Sequence, residues 1–110
     1  MDTRYLLHVT EADRWPAVLS NVKNLTALGL AGSVTVVING SAIHVVQGTN
    51  DWATDMATAA AAGVTFEICS RAMANHDMPV DTIPDWLVPV PAALPAIAEH
   101  VHDGFVYVKP

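Results

Sequence analysis

An α/β fold, with a parallel sheet sandwiched between helices, is what this sequence predicts, on three observations. Short apolar, β-branched segments alternate with amphipathic or Ala-rich segments five times along the 110 residues. The strand segments are nearly continuous in apolar character, as in strands covered on both faces. Glycines stand where helical segments must stop, at Gly29, Gly48, Gly63 and Gly104. Such alternation implies right-handed crossovers and parallel pairing. Residues 1–110 read as a single domain with no internal repeat and no linker, and a chain of this length buries roughly two-thirds of its unfolded surface.

The first strand spans Arg4 to Val9. Thr10-Glu11-Ala12-Asp13 then forms a polar break that suits a helix N-terminus, its acidic groups near the positive end of the dipole. Trp15, Val18, Leu19, Val22, Leu25 and Leu28 recur at three- and four-residue spacing, which predicts a helix up to Gly29. Ser33 to Ile38 is β-branched and apolar, a second strand ended by Asn39-Gly40. Ser41 is placed to cap a short helical turn from Ala42 to Gln47. Asn50 or Asp51 to Ala62 is an Ala-rich helix with Trp52 and Met56 one turn apart. Val64 to Cys69 is a third strand, and Ser70 to Asn75 has room only for a short helix. Met78 to Pro91 is a Pro-punctuated connection with one abbreviated strand near Leu87 to Val90, where Pro89 limits ladder bonding. Ala92 to Asp103 is a last helix that tolerates Pro95 in its first turn, and Phe105 to Val108 is a final strand.

Composition narrows the function classes. Five Lys and Arg against eleven Asp and Glu give a formal charge of -6, with no basic run, which argues against nucleic acid and anionic lipid as partners. An apolar fraction of 52% with only 15% charged residues excludes disorder and leaves a small domain short of polar cover, so self-association is expected. The N-terminal segment lacks a signal-peptide pattern, and no apolar run approaches the ~18 residues of a membrane span. A soluble cytoplasmic protein is therefore the expectation. The one cysteine cannot form an intrachain disulfide.

Ligands of open parallel sheets meet the carboxyl ends of the strands. His8 stands at the end of the first strand, Asn39 and Gly40 at the end of the second, and Cys69 at the end of the third. Ser70 and Arg71 follow at once and begin a helix, so the sulfur is expected near unpaired backbone N–H groups and a guanidinium, both of which favour thiolate over thiol. A lone cysteine in so apolar a chain is equally at home as an inert core residue. Gly40-Ser41-Ala42 lacks the glycine spacing of a phosphate-binding loop and reads as a turn. His44, His76, His100 and His102 do not form a ligand set, and no metal site is expected; His100 and His102 are placed to interact with their helix dipole. Trp15, Trp52 and Trp86 are read as packing anchors.

The segments His8-Val9, Leu19 to Leu25, Val36-Val37-Ile38-Asn39-Gly40, Gly63-Val64-Thr65-Phe66-Glu67-Ile68-Cys69 and Asp103-Gly104-Phe105-Val106-Tyr107-Val108-Lys109-Pro110 resemble the DsrE/DsrF-like family, in order and over most of the chain. The likeness is greatest to its small single-domain members of unassigned function. The resemblance implies a three-layer α/β/α sandwich with a five-stranded parallel sheet, and homo-oligomers, trimers or hexamers. In sulfur-relay members a cysteine at the end of the third strand accepts and passes on persulfide sulfur, and Cys69 matches it. Such members carry a basic, Arg-Gly-containing turn six or seven residues later, where this chain has Asn75-His76-Asp77.

Two functions from different classes follow. In the first, a cytoplasmic sulfur carrier takes sulfane sulfur on Cys69 from a donor protein and hands it to an acceptor thiol, with Arg71 and the helix N-terminus stabilising the anion and His8 moving a proton. In the second, a non-catalytic oligomeric module binds a small ligand at the strand ends, with Asn39 and Gly40 offering polar contacts and Cys69 only lining the pocket. Neither needs a metal or an organic cofactor.

Overall fold

The computed structural model describes residues 2–110. It contains five strands, β1 (Tyr5–Val9), β2 (Val34–Ile38), β3 (Thr65–Cys69), β4 (Leu87–Val90) and β5 (Val106–Val108). Between them lie α1 (Trp15–Ala27), α2 (Asp51–Ala62), α3 (Ser70–Asn75) and α4 (Ala93–His102). Short 3-10 turns occupy Ala12–Arg14, Ala31–Ser33, Gly40–Val46 and Val80–Thr82. All five strands pair in parallel in one sheet, in the order β4-β3-β2-β1-β5.

That order fixes the layers. From β1 to β4 the chain always steps to the same side, and β5 returns across three strands to the far side of β1. Right-handed crossovers then place α1 and α2 on one face and α4 on the other. Accordingly α1 packs against α2, and α4 packs over β1 and β2. The three-layer α/β/α sandwich expected from the sequence is thus present.

Strand parity assigns the side chains. Glu67 of β3 bonds His100 of α4, so Glu67 and its register partners Val37, His8 and Val88 face the α4 layer. The alternate residues Leu7, Val9, Val36, Ile38, Phe66 and Ile68 face α1 and α2, whose buried residues are Trp15, Val18, Leu19 and Val22, and Met56 and Ala59. Strand β2, in the centre, is buried at all five positions, as a strand covered on both faces must be. Pro89 is tolerated because β4 is an edge strand, where one side of the ladder has no partner.

Local chemistry sets the ends. Pro16 sits in the first turn of α1, where its missing N–H costs no helical bond. Asn50 caps α2: its Oδ1 accepts from the Ala53 N–H at 2.8 Å while its Nδ2 donates to the Val45 carbonyl at 2.8 Å. The Trp15 indole donates to the Ala42 carbonyl at 3.0 Å, pinning the turn after β2 to the start of α1.

Four details differ from the sequence reading. Leu28 lies beyond the last residue of α1 and is 72% exposed, since the turn into Gly29 carries it off the buried stripe. Trp52 is 40% exposed on the first turn of α2, whereas Trp15 is fully buried and Trp86 packs edge-on against Phe66. Ser41 caps no turn of its own; its hydroxyl instead accepts from the Ala12 N–H at 3.1 Å and ties the two loops together. The stretch it was expected to cap is 3-10 from Gly40 to Val46.

Candidate functional site

Cys69 ends β3 and is also the N-cap residue of α3. Its extended backbone (φ -72°, ψ 112°) turns the sulfur onto the first turn of the helix, where Sγ accepts from the Ala72 N–H at 3.3 Å. A sulfur thus fills the place that a Ser or Asp oxygen commonly takes, on one of the N–H groups that a helix start leaves unpaired. The thiol is buried and free. Ser70 is half-buried, and Arg71 is exposed on the helix surface.

The carboxyl ends of β1, β2 and β5 hold a second group. His8 is 7% exposed, yet both ring nitrogens have partners: Nε2 meets Asn39 Oδ1 at 2.9 Å and Nδ1 meets Tyr107 Oη at 2.7 Å. The amide oxygen can only accept, so Nε2 carries the hydrogen, Nδ1 is the acceptor of the neutral ring, and the Tyr107 hydroxyl donates to it. Burial pushes the His8 imidazole below its ordinary value; the Asn39 hydrogen bond opposes this, and the Lys109 charge adds to it. A neutral histidine with a fixed tautomer results.

Gly40, expected among the binding residues, has a backbone reason to be glycine. Its φ is +57°, and a Cβ there would fall inside van der Waals contact with the Thr10 carbonyl oxygen. It lets the turn after β2 pass close to the turn after β1. Asn39, just before it, donates its backbone N–H to the Val9 carbonyl at 3.0 Å, so the residue that holds His8 is itself held by β1.

The two groups are neighbours and remain distinct. The β2–β3 register, continued one residue beyond Ile38–Ile68, sets Asn39 beside Cys69. His8 is two strands from Cys69, at ~4.8 Å per strand. Its ring nitrogens are engaged by Asn39 and Tyr107, while the sulfur is engaged by Ala72.

His100 differs from its expected role at the helix end. Its Nε2 lies 2.8 Å from Glu67 Oε1, with only 22% and 13% of the two side chains exposed, and its ring packs against Phe105. This pair borders a cleft of about 330 Å³ whose other walls include Val90, Pro91, Pro95 and Glu99. Residue type alone hides the pairing, because Glu67 meets His100 only when α4 crosses to the far face. Among the described residues no group of three or more His, Cys, Asp or Glu side chains is placed to hold a metal ion. No described helix is long and apolar enough to cross a membrane. The reading from sequence also missed Tyr107; its signal was the polar tip of an aromatic on a strand that had no assigned neighbour.

No protein-family model matches this chain, and no curated protein matches it. Solved structures do. A protein of unknown function from Methanobacterium thermoautotrophicum is 24% identical, with a TM-score of 0.89 over 99% of this chain and 100% of that one. A conserved protein of unknown function from Bacteroides thetaiotaomicron is 14% identical, with a TM-score of 0.76 over 96% and 94% of the two chains. At these identities the likeness establishes the shared fold.

Proposed function

We propose that this is a DsrE/DsrF-like sulfur carrier of the cytoplasm in which Cys69 accepts sulfane sulfur. The observation that supports this reading is the position of the thiol, at the end of β3 and over the start of α3, with Sγ on the Ala72 N–H at 3.3 Å. In the reaction, the Cys69 thiolate attacks the outer sulfur of a donor persulfide. A new S–S bond forms at Cys69, the donor S–S bond breaks, and the donor leaves as a thiolate that takes up a proton. Delivery repeats the exchange with an acceptor thiol, so no oxidant or reductant is consumed. The Ala72 N–H offers a hydrogen bond to the Cys69 thiolate, and Arg71 supplies positive charge from the same short helix.

The reading includes a closed homo-oligomer, a trimer or a hexamer. The α2 helix and the Pro-rich connection from Met78 to Pro91 are its contact surfaces, and Trp52, Val80 and Val88 from these segments are 40%, 49% and 45% exposed. The test of the chemistry is intact-mass analysis after incubation with a small persulfide donor. The wild-type protein gains one or more sulfur atoms and Cys69→Ser gains none. Loading that persists in Cys69→Ser removes the thiol from the mechanism.

A second reading, a non-catalytic small-ligand module, draws on the ordered His8, Asn39 and Tyr107 chain at the strand ends. It is preferred if the native protein takes up no sulfur.

A further inference from the structure

We infer that Tyr107 and Lys109, backed by His8, form a binding site for a small oxyanion at the carboxyl ends of β1 and β5, separate from Cys69. The place follows from topology. Along the sheet, β1 is flanked by β2, reached through a helix on one face, and by β5, reached through α4 on the other. The carboxyl ends of β2, β1 and β5 therefore stand side by side, and they bring Asn39, His8 and Tyr107 together.

The residues converge there. The β1–β5 register runs Tyr5–Val106, Leu6–Tyr107 and Leu7–Val108, and its next step sets Lys109 beside His8 on the same face. Tyr107 reaches diagonally to the same ring. As whole residues Tyr107 is 43% exposed and Lys109 is exposed, while His8 is 7% exposed. Lys109 makes no ion pair among the described residues.

The hydrogen-bond chain gives the site its chemistry. In the free protein the Tyr107 hydroxyl hydrogen points inward to His8 Nδ1, leaving the phenol oxygen only acceptor capacity toward solvent. An anion beside Lys109 reverses this: Tyr107 turns its O–H outward to the anion, and His8 takes a proton on Nδ1 and donates it to the phenol oxygen. The cost of protonating the buried ring falls, because the anion offsets the Lys109 charge that opposes it. The elements packed around His8 carry these other charged groups, with Glu99, His100 and His102 on α4. From β2 no ionisable side chain faces His8, and Glu67, in the same row two strands away, is bonded to His100 of α4. Arg4 is held at the other end of β1, over the Phe105 ring. Arg14 donates to the Pro110 carbonyl at 3.2 Å, and Glu11 and Asp13 lie on the turn after β1.

Inorganic sulfate is the probe, since it does not titrate near neutrality. Calorimetry and ¹⁵N spectra of the His8 ring are recorded as sulfate is added to the full chain, with chloride at equal ionic strength as control. The expected result is saturable binding with proton uptake at His8, tightening by up to about tenfold per pH unit as pH falls. Lys109→Met and Tyr107→Phe, both at exposed positions, are each expected to weaken binding by about tenfold or more. Cys69→Ser is expected to bind sulfate as the wild type does, whatever the fate of the sulfur-carrier reading. Ring signals that respond equally to chloride and sulfate, or unchanged affinity in both variants, overturn the site.

Discussion

Replacing Gly40 with Ala tests the claim that this glycine is there for the backbone. Two costs apply at position 40. The φ of +57° puts any L-residue in the left-handed region, at roughly 1–2 kcal/mol. The new methyl also overlaps the Thr10 carbonyl oxygen, and because its neighbour is backbone the two loops must separate, which adds about 1–3 kcal/mol on the scale of overpacked cores. Gly48 is the control: its φ is +74°, but nothing lies within 4 Å of a Cβ built there, so Gly48→Ala carries the conformational cost alone. Both variants lose the same unfolded-state entropy of glycine, which cancels in the comparison. Urea denaturation of the two variants and the wild type should therefore separate them by about 1–3 kcal/mol, with Gly40→Ala the less stable. At roughly 4–8 °C per kcal/mol for a domain near this size, the gap is also visible in melting temperature. Because Asn39 precedes Gly40, the ring N–H resonance of His8 should shift in Gly40→Ala and stay in place in Gly48→Ala. Equal stabilities within about 0.5 kcal/mol refute the close-approach argument, since that is the scatter of unremarkable substitutions.

The other predictions concern the histidine, the tryptophan and the surface. Because the folded protein holds His8 below the ordinary value of about 6.5, its contribution to stability is present above that pH and lost as pH falls through the folded value. Urea midpoints should thus drop on acidification more steeply for the wild type than for His8→Asn, and parallel slopes contradict the assignment. Trp15→Phe leaves the Ala42 carbonyl without its 3.0 Å donor in a buried place and should cost about 1–3 kcal/mol by chemical denaturation. Light scattering should give a mass several times that of the 11.7 kDa chain, and Trp52→Glu should lower it. A monomer at micromolar concentration removes the oligomer from the proposal.

Periodicity and glycine placement made the elements legible, because each is a local property. The spacing of Trp15, Val18, Leu19 and Val22 reads as a helix, and the run from Val34 to Ile38 as a buried strand. The order of strands was not legible. Nothing local to Phe105–Val108 says that it pairs with β1, although the crossover rule explains the result once the pairing is known. The candidate site divides along the same line. Cys69 and Ser70 are adjacent in sequence, so the helix cap could be anticipated. His8 and Tyr107 lie 99 residues apart, and Glu67 and His100 lie 33 apart, so each pair exists only after the sheet is assembled. The backbone reason for Gly40 was not legible either, because it is the carbonyl of Thr10, thirty positions earlier in the chain.

The placement of β5 beside β1 also bears on how the molecule comes into being. Strands β1 to β4 can add one after another through crossovers of moderate length, but the β1–β5 ladder joins positions about a hundred residues apart. Loop-closure entropy grows only slowly with length, yet no contact on that side rewards closure until α4 has crossed the sheet. The ladder expected to form last is therefore the one that carries Tyr107 and Lys109 to His8. A folding intermediate that lacks it keeps the β1 edge open to other strands, and His8 there has neither its cover nor its phenol partner. The His8 ring signal is therefore expected to reach its native position with completion of this ladder, later than Trp15 fluorescence follows collapse of the α1 layer.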